Sequence, residues 1–407
     1  MRASALQSPG VVIACGGLVI ALSMGVRHGF GLFLPPMTAA HGWGRGTFSF
    51  ALAIQNLVWG FSQPLFGMLA DRFGFGRVVT LGAACWVGGL LLMPSATTGG
   101  QLTLSAGVLI GLGLGATGWV VLGAISRRVP VAQQSNALGI ASALGSLGQF
   151  VMMPYTQVLI STLGWAPALM ALAATSAMIA PLALGLVVKT DLPAQAAQAP
   201  TGLRSAVGEA LAHPGFWLLN LGFVVCGFQL AFLTNHLPAF LADQGLSPRV
   251  GMAALAIIGA ANILGSYTCG YLGGRLRRKY LLSGLYLIRT SATVIYIGLP
   301  VTAASTLAYA VVMGLTWLGT VPLTSGVVSQ IFGVLYLATL FGFVFLGHQL
   351  GGFAGVWLAG YVFDVTHSYY LVWAMGIALG VLSIVVHLPI DDRAVEVRAA
   401  ARQRATA

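Results

Sequence analysis

Long apolar runs separated by short polar breaks recur twelve times along the chain, at about residues 11–37, 47–70, 78–95, 102–125, 137–163, 165–188, 215–241, 251–273, 281–301, 304–330, 336–363 and 369–389. A helix needs roughly 20 apolar residues, at about 1.5 Å rise each, to cross a bilayer. The pattern therefore predicts an all-α integral membrane protein of twelve transmembrane helices. Several runs adjoin with almost no loop, so little mass is left outside the membrane and no soluble catalytic domain is expected. The longest break, residues 189–213, starts as an Ala/Gln/Pro linker and then sets Leu203, Val207 and Leu211 on one face of a short helix suited to the membrane surface. It divides the chain into helical bundles at 1–188 and 214–390, followed by a tail at 391–407.

The two bundles repeat each other at a constant offset of 203 residues. Leu34-Pro35 maps to Leu237-Pro238, Gly42 to Gly245, Gly67-Met68-Leu69 to Gly270-Tyr271-Leu272, Arg72 to Arg275, and Leu147-Gly148-Gln149-Phe150 to Leu350-Gly351-Gly352-Phe353. Such coincidences at one offset argue for duplication. Six spans per half is an even number, so both halves enter the membrane from the same side. Such parallel repeats are related by an axis along the membrane normal, with a site expected near the midplane between them.

Composition strengthens this picture. The chain is 57% hydrophobic and only 7% charged, against about 25% charged in a soluble domain. The net charge of +11 does not point to nucleic acid, because the basic residues lie in short segments between apolar runs. With the N-terminus inside, 15 Lys and Arg fall on the inner side and two, Arg45 and Arg249, on the outer side. Both termini are thus expected in the cytoplasm, with the chain in the inner membrane and the first span retained rather than cleaved. Cys15, Cys85, Cys226 and Cys269 sit singly in apolar runs, without metal-type spacing, and read as small packing residues. No metal or cofactor is expected, and the chain reads as a monomer.

Residues Gly67-Met68-Leu69-Ala70-Asp71-Arg72-Phe73-Gly74-Phe75-Gly76-Arg77 follow the second span, and Gly270-Tyr271-Leu272-Gly273-Gly274-Arg275 repeat them with Gly274 in place of the aspartate. This stretch resembles the loop signature of the major facilitator superfamily, and the resemblance extends over the twelve spans, the central loop and the duplicated halves. It implies the major facilitator fold of two six-helix pseudo-repeats. GVRHGFGLFLPPM (25–37), FLTNHLPAFL (232–241), GLTWLGTVPLTSG (314–326) and GHQLGGFAG (347–355) resemble the bacterial monocarboxylate-porter-like branch and the oxalate/formate exchangers. Gly67, Asp71, Arg72, Gly74, Arg77, Gly270 and Arg275 are the candidate gating loop; the plainer reading is that the charges only enforce topology.

Arg27 is the most informative residue. An arginine inside a span costs at least about 2.5–3.5 kcal/mol, and no Asp or Glu lies in the apolar body of any span to offset it. The simplest missing partner is an anionic substrate; the alternative is snorkelling to the outer interface. Ser23 and Phe30 share its face, and His28 points about 100° away. Arg289, near the middle of the ninth span, reads equally as a structural ion partner or a second anion site. Gln229 and His236 lie on one face of the seventh span and are expected to look toward Arg27. His348 and Gln349 adjoin a run of Gly347, Gly351, Gly355 and Ala359 that reads as a close-packing face. Gln149 and, on the second span, Gln55, Asn56 and Gln63 occupy helix–helix regions, and Trp119 and Trp317 are either cavity walls or packing.

These features predict a secondary transporter of a small organic anion, monocarboxylate-like, working by alternating access. Proton coupling would rest on His236 or His348 or on the substrate; anion exchange would need neither. The alternative is an exporter of hydrophobic, drug-like compounds, favoured by the aromatic content and disfavoured by Arg27. An enzyme is not expected, since zinc-type His-Glu-x-x-His and Gly-x-Ser-x-Gly motifs are absent.

Overall fold

The computed structural model describes residues 8–129, 131–187, 203–333 and 336–394, with the side chains of Asp71, Trp119, residues 131–136, Leu203 and Ala338 outside that description. The described residues form helices and no strand. Twelve helical spans are present: α1 Pro9–Leu32, α2 Arg45–Phe73, α3 Phe75–Ser95, α4 Gly99–Arg128, α5 Val131–Leu163, α6 Trp165–Leu186, α7 Pro214–Asp243, α8 Pro248–Gly273, α9 Arg278–Gly298, α10 Ala303–Phe332, α11 Leu337–Thr366 and α12 Tyr370–His387. Eleven are apolar enough to span on that ground alone. The exception, α2, is 29 residues long and owes its polarity to buried Ser49, Gln55, Asn56 and Ser62. Of the expected linker, residues 189–202 lie outside the described residues, and Leu203–Leu211 is helical.

Inside α4, Thr103–Leu109 forms a π-helical turn, and Gln55 Nε2 donates to Ala106 O at 2.7 Å, occupying a carbonyl there. Both fourth helices of the repeat start with a reciprocal capping box, Thr98 with Gln101 and Thr302 with Ser305. Both also break midway, α4 at Gly118 and α10 over residues 317–319. Gly42 and Gly245, paired by the offset, both sit in the left-handed region, at φ +64° and +74°.

The repeat also governs packing. α1 lies on α5, and α7 on α11. A Cβ at Gly148 would overlap the Ala21 carbonyl, and one at Gly351 would overlap that of Val224. Both residue pairs are related by 203. The glycine face of α11 does lie against α7, with Gly347 facing Asn220 and Gly355 facing Phe228.

The two broadest seams between the halves are α2 with α11 and α5 with α8, and the end of α1 also meets α7, with Gly31 against Thr234. Gly352 meets Asn56 in one, Gly259 meets Gln149 in the other, and the offset exchanges these pairs. Along the first seam, side-chain contacts run from Arg45 to Gly60 on α2 and from Phe345 to Asp364 on α11. The halves are thus fastened toward the Arg45 face, opposite the face that carries Arg72, Arg127, Arg275 and Lys279.

Candidate functional site

Arg27 occupies the last α-turn of α1 before the chain tightens into the 3₁₀ turn Gly29–Leu32. A cation is favoured there by the carbonyl end of the helix. The side chain is half-buried, and no carboxylate among the described residues pairs with it. Its Nη2 donates to Asn56 Oδ1 at 2.7 Å, and its Cζ lies 4.9 Å from the Trp59 ring centroid. Asn56 and Trp59 are three apart on α2 and so share one face. Two donors of this group are buried and have no acceptor, Arg27 Nε and Trp59 Nε1. Leaving a buried donor unmade costs about 1–3 kcal/mol, so the group is poised for an acceptor it does not itself contain.

The third side comes from α11. Gln349 Nε2 donates to Asn56 O at 3.3 Å, and His348 Nδ1 donates to Gln349 Oε1 at 3.0 Å. Trp59 packs edge-on against Phe345 at 5.3 Å, and the His348 ring stacks on Phe345 and touches Phe223. Arg27, Asn56, Gln349 and His348, from three helices and both halves, are therefore brought together, and the sequence reading missed Trp59, the adjoining member.

Other candidates lie elsewhere. Gln229 does not look toward Arg27: its Nε2 donates to Gly376 O on α12 at 3.0 Å, because α7 packs against α12 as well as α11. His236 is also turned away, toward Val356, Tyr369 and Ser49. His28 Nδ1 donates to Met24 O at 2.7 Å, and Ser23 Oγ to Val19 O at 2.9 Å, so both serve their own helix. Arg289 is fully buried and caps the break in α10. It donates to Thr316 O and Trp317 O through Nη2 and to Thr316 Oγ1 through Nε. Carbonyls left over where a helix stops are natural acceptors for a cation. Of the two readings of Arg289, the structural one matches its contacts. Trp317 is buried at that break, Gln149 lies on the α5–α8 seam, and the Trp119 side chain is outside the described residues.

The family model for the Major Facilitator Superfamily matches residues 13–334. The chain belongs to this superfamily. Similar proteins include the "Uncharacterized MFS-type transporter YcxA" of Bacillus subtilis (strain 168), 28% identical with 91% of this chain and 92% of that protein covered. "Monocarboxylate transporter 13" of Rattus norvegicus is 28% identical, with 86% and 81% covered, and "Monocarboxylate transporter 11" of Homo sapiens is 26% identical, with 88% and 78% covered. Among solved structures, a bacterial homolog of the human lysosomal transporter Spinster, inward-facing and occupied, superposes with a TM-score of 0.75 at 14% identity, covering 94% of this chain and 97% of that one. The chain is thus a multi-pass membrane transporter with the major facilitator fold.

In this transporter the signature loop shrinks to Gly74, the sole residue between α2 and α3, held at φ +95° where a side chain is strained. Arg72 and Arg77 are exposed, Arg275 lies over the Tyr271 ring at 4.0 Å, and a Cβ at Gly67 or Gly270 would meet nothing. The Asp71 side chain lies outside the described residues.

Two further junctions escaped the sequence reading. Asn262 of α8 donates to Ser146 Oγ of α5 at 3.0 Å, and its Oδ1 accepts from Leu318 N at 2.9 Å, tying the α10 break to the opposite half. At the other face, Arg45 grips Asp243 of α7 through two bonds of 2.6 Å, while Asp364 of α11 accepts from the backbone N–H of Arg45 and of Gly46. One α11 carboxylate therefore caps the N-terminus of α2 across the seam. This latch borders a hollow of about 580 Å³ lined also by Trp43, Phe363 and His367. The hollow and the Arg27 group are separate places.

Proposed function

We propose that this transporter carries a small organic anion of the monocarboxylate class across the cell membrane by alternating access. The observation that carries the reading is Arg27: a half-buried cation without a counter-ion, whose Nε and neighbouring Trp59 Nε1 lack acceptors. A carboxylate there would accept from Arg27 Nε and Trp59 Nε1 while Asn56 holds Nη2 and so fixes the plane of the guanidinium. Phe345 and Trp59 would face the apolar part of a short-chain acid. The names of the monocarboxylate transporters among the relatives support the same class.

In this reading the two halves rock about the Arg27 group, the Arg45 latch is the outer gate, and the loop around Asp71 and Gly74 belongs to the inner one. The basic face and both termini are cytoplasmic, the membrane is the inner one, and the monomer is the working unit. Coupling is by proton symport or anion exchange. Counterflow in liposomes, with a panel of mono- and dicarboxylates beside neutral hydrophobic compounds, tests the class. Exchange confined to carboxylates is expected; exchange confined to hydrophobic compounds would favour the exporter.

A further inference from the structure

His236 is fully buried at the α2–α11 seam, and its partners are Tyr369, Ser49 and Val356. Arg45 can only donate, so its Nη1–H, 3.0 Å from Tyr369, makes the phenol oxygen the acceptor. The phenol proton finds an acceptor in His236 Nδ1, also at 3.0 Å, when that nitrogen is unprotonated. Ser49 spends its hydroxyl proton on Arg45 O at 2.7 Å, and Val356 offers a carbonyl. The proton on Nε2 therefore faces two acceptors, Val356 O at 3.0 Å and Ser49 Oγ at 3.2 Å. This network accommodates a neutral imidazole with its hydrogen on Nε2. Adding a proton to Nδ1 would deprive the phenol O–H of its acceptor and place a second cation behind Arg45.

We propose that His236 is the proton-binding site of this transporter and that it is loaded as the Arg45 face opens. Separation of α2 from α7 and α11 withdraws Ser49 and Arg45, frees Tyr369 and lets the ring take a proton from the water admitted there; refastening returns the proton to that water. No bond other than N–H is made or broken. The titratable and charged groups near the ring are Tyr369 and, beyond it, Arg45 with Asp243 and Asp364; Val356 and Ser49 face it with neutral oxygens. The proposal deepens the transporter reading by naming a proton that biases its outer gate, and it does not depend on the substrate being an anion.

The test is pulsed electron–electron distance measurement on the full chain in nanodiscs without substrate. Spin labels go at the exposed positions Ala40→Cys and Gln244→Cys, with the four native cysteines replaced. If the open form holds one more proton, its ratio to the closed form changes by up to about tenfold per pH unit. The open fraction should rise between pH 8 and pH 5 in the parent and stay flat in His236→Gln. Tyr369→Phe keeps the imidazole but removes the opposing hydroxyl, so the pH-driven change should shrink. A flat parent, a pH response retained in His236→Gln, an unchanged response in Tyr369→Phe, or a response abolished only by Asp243→Asn or Asp364→Asn would each overturn the assignment. Because no substrate is present, failure here leaves the counterflow result standing, and the reverse also holds.

Discussion

Arg289→Met separates a cap from a ligand site. The arginine is fully buried and satisfies Thr316 O, Trp317 O and Thr316 Oγ1 where α10 is interrupted. Methionine fills much of the volume but donates nothing, so two buried carbonyls lose their partner. At about 1–3 kcal/mol for each stranded group, the loss is about 2–6 kcal/mol. In a half of this size that lowers Tm by roughly 4–24 °C. Thermal unfolding in detergent measures it, with Arg289→Lys expected to recover part of the loss, since an ammonium can reach one carbonyl but not span the set. Carboxylate affinity of the surviving folded protein should change less than about twofold, an interval small against the tenfold steps of about 1.4 kcal/mol. Parent-like stability combined with lost binding would refute the cap and make Arg289 part of the substrate site.

Gly351→Ala forces a methyl into the Val224 carbonyl and should cost about 1–3 kcal/mol in thermal or chemical unfolding. Gly270→Ala, whose Cβ meets nothing, is the control. Asp71→Asn should slow transport while leaving substrate affinity nearly unchanged, read as initial rate against Kd; a large rise in Kd at an unchanged maximal rate would remove Asp71 from the gate. Arg277 holds the Asp392 carboxyl below its ordinary value through a 2.5 Å contact. That contribution is present above the unfolded carboxyl value of about 3.9 and fades as pH falls through the lower folded one. Arg277→Gln should therefore be less stable than the parent at pH 7, with the gap closing in acid; a gap constant with pH would rule the pair out as its source.

Much of the fold was legible because the bilayer makes the demand local: each span must be apolar over its own length, and duplication leaves a fixed offset that needs no knowledge of packing. Arg27 was legible for the same reason, as a charge with no partner in any span. Neighbour choice was not. Seven-residue spacing put Gln229 and His236 on one face of α7 but could not say that α12 and the Arg45 latch, rather than Arg27, would meet it. Arg289 stayed open between an ion partner and an anion site because only charged partners were sought, whereas its partners include backbone carbonyls at a helix break. Arg45 was counted as a loop charge, yet its bonds reach 198 and 319 residues along the chain. The presence of Asp243 and Asp364 at the ends of spans on that same side was the available hint.

The central claim is that Arg27 holds the carboxylate, and the binding isotherm of a monocarboxylate to Arg27→Gln tests it most directly. Removing the charge-assisted bonds should cost about 1.5–3 kcal/mol, a rise in Kd of about 10–100-fold, with Arg27→Lys in between and neutral compounds unaffected. A carboxylate bound by Arg27→Gln as tightly as by the parent would contradict the account and move the exporter of hydrophobic compounds ahead of it.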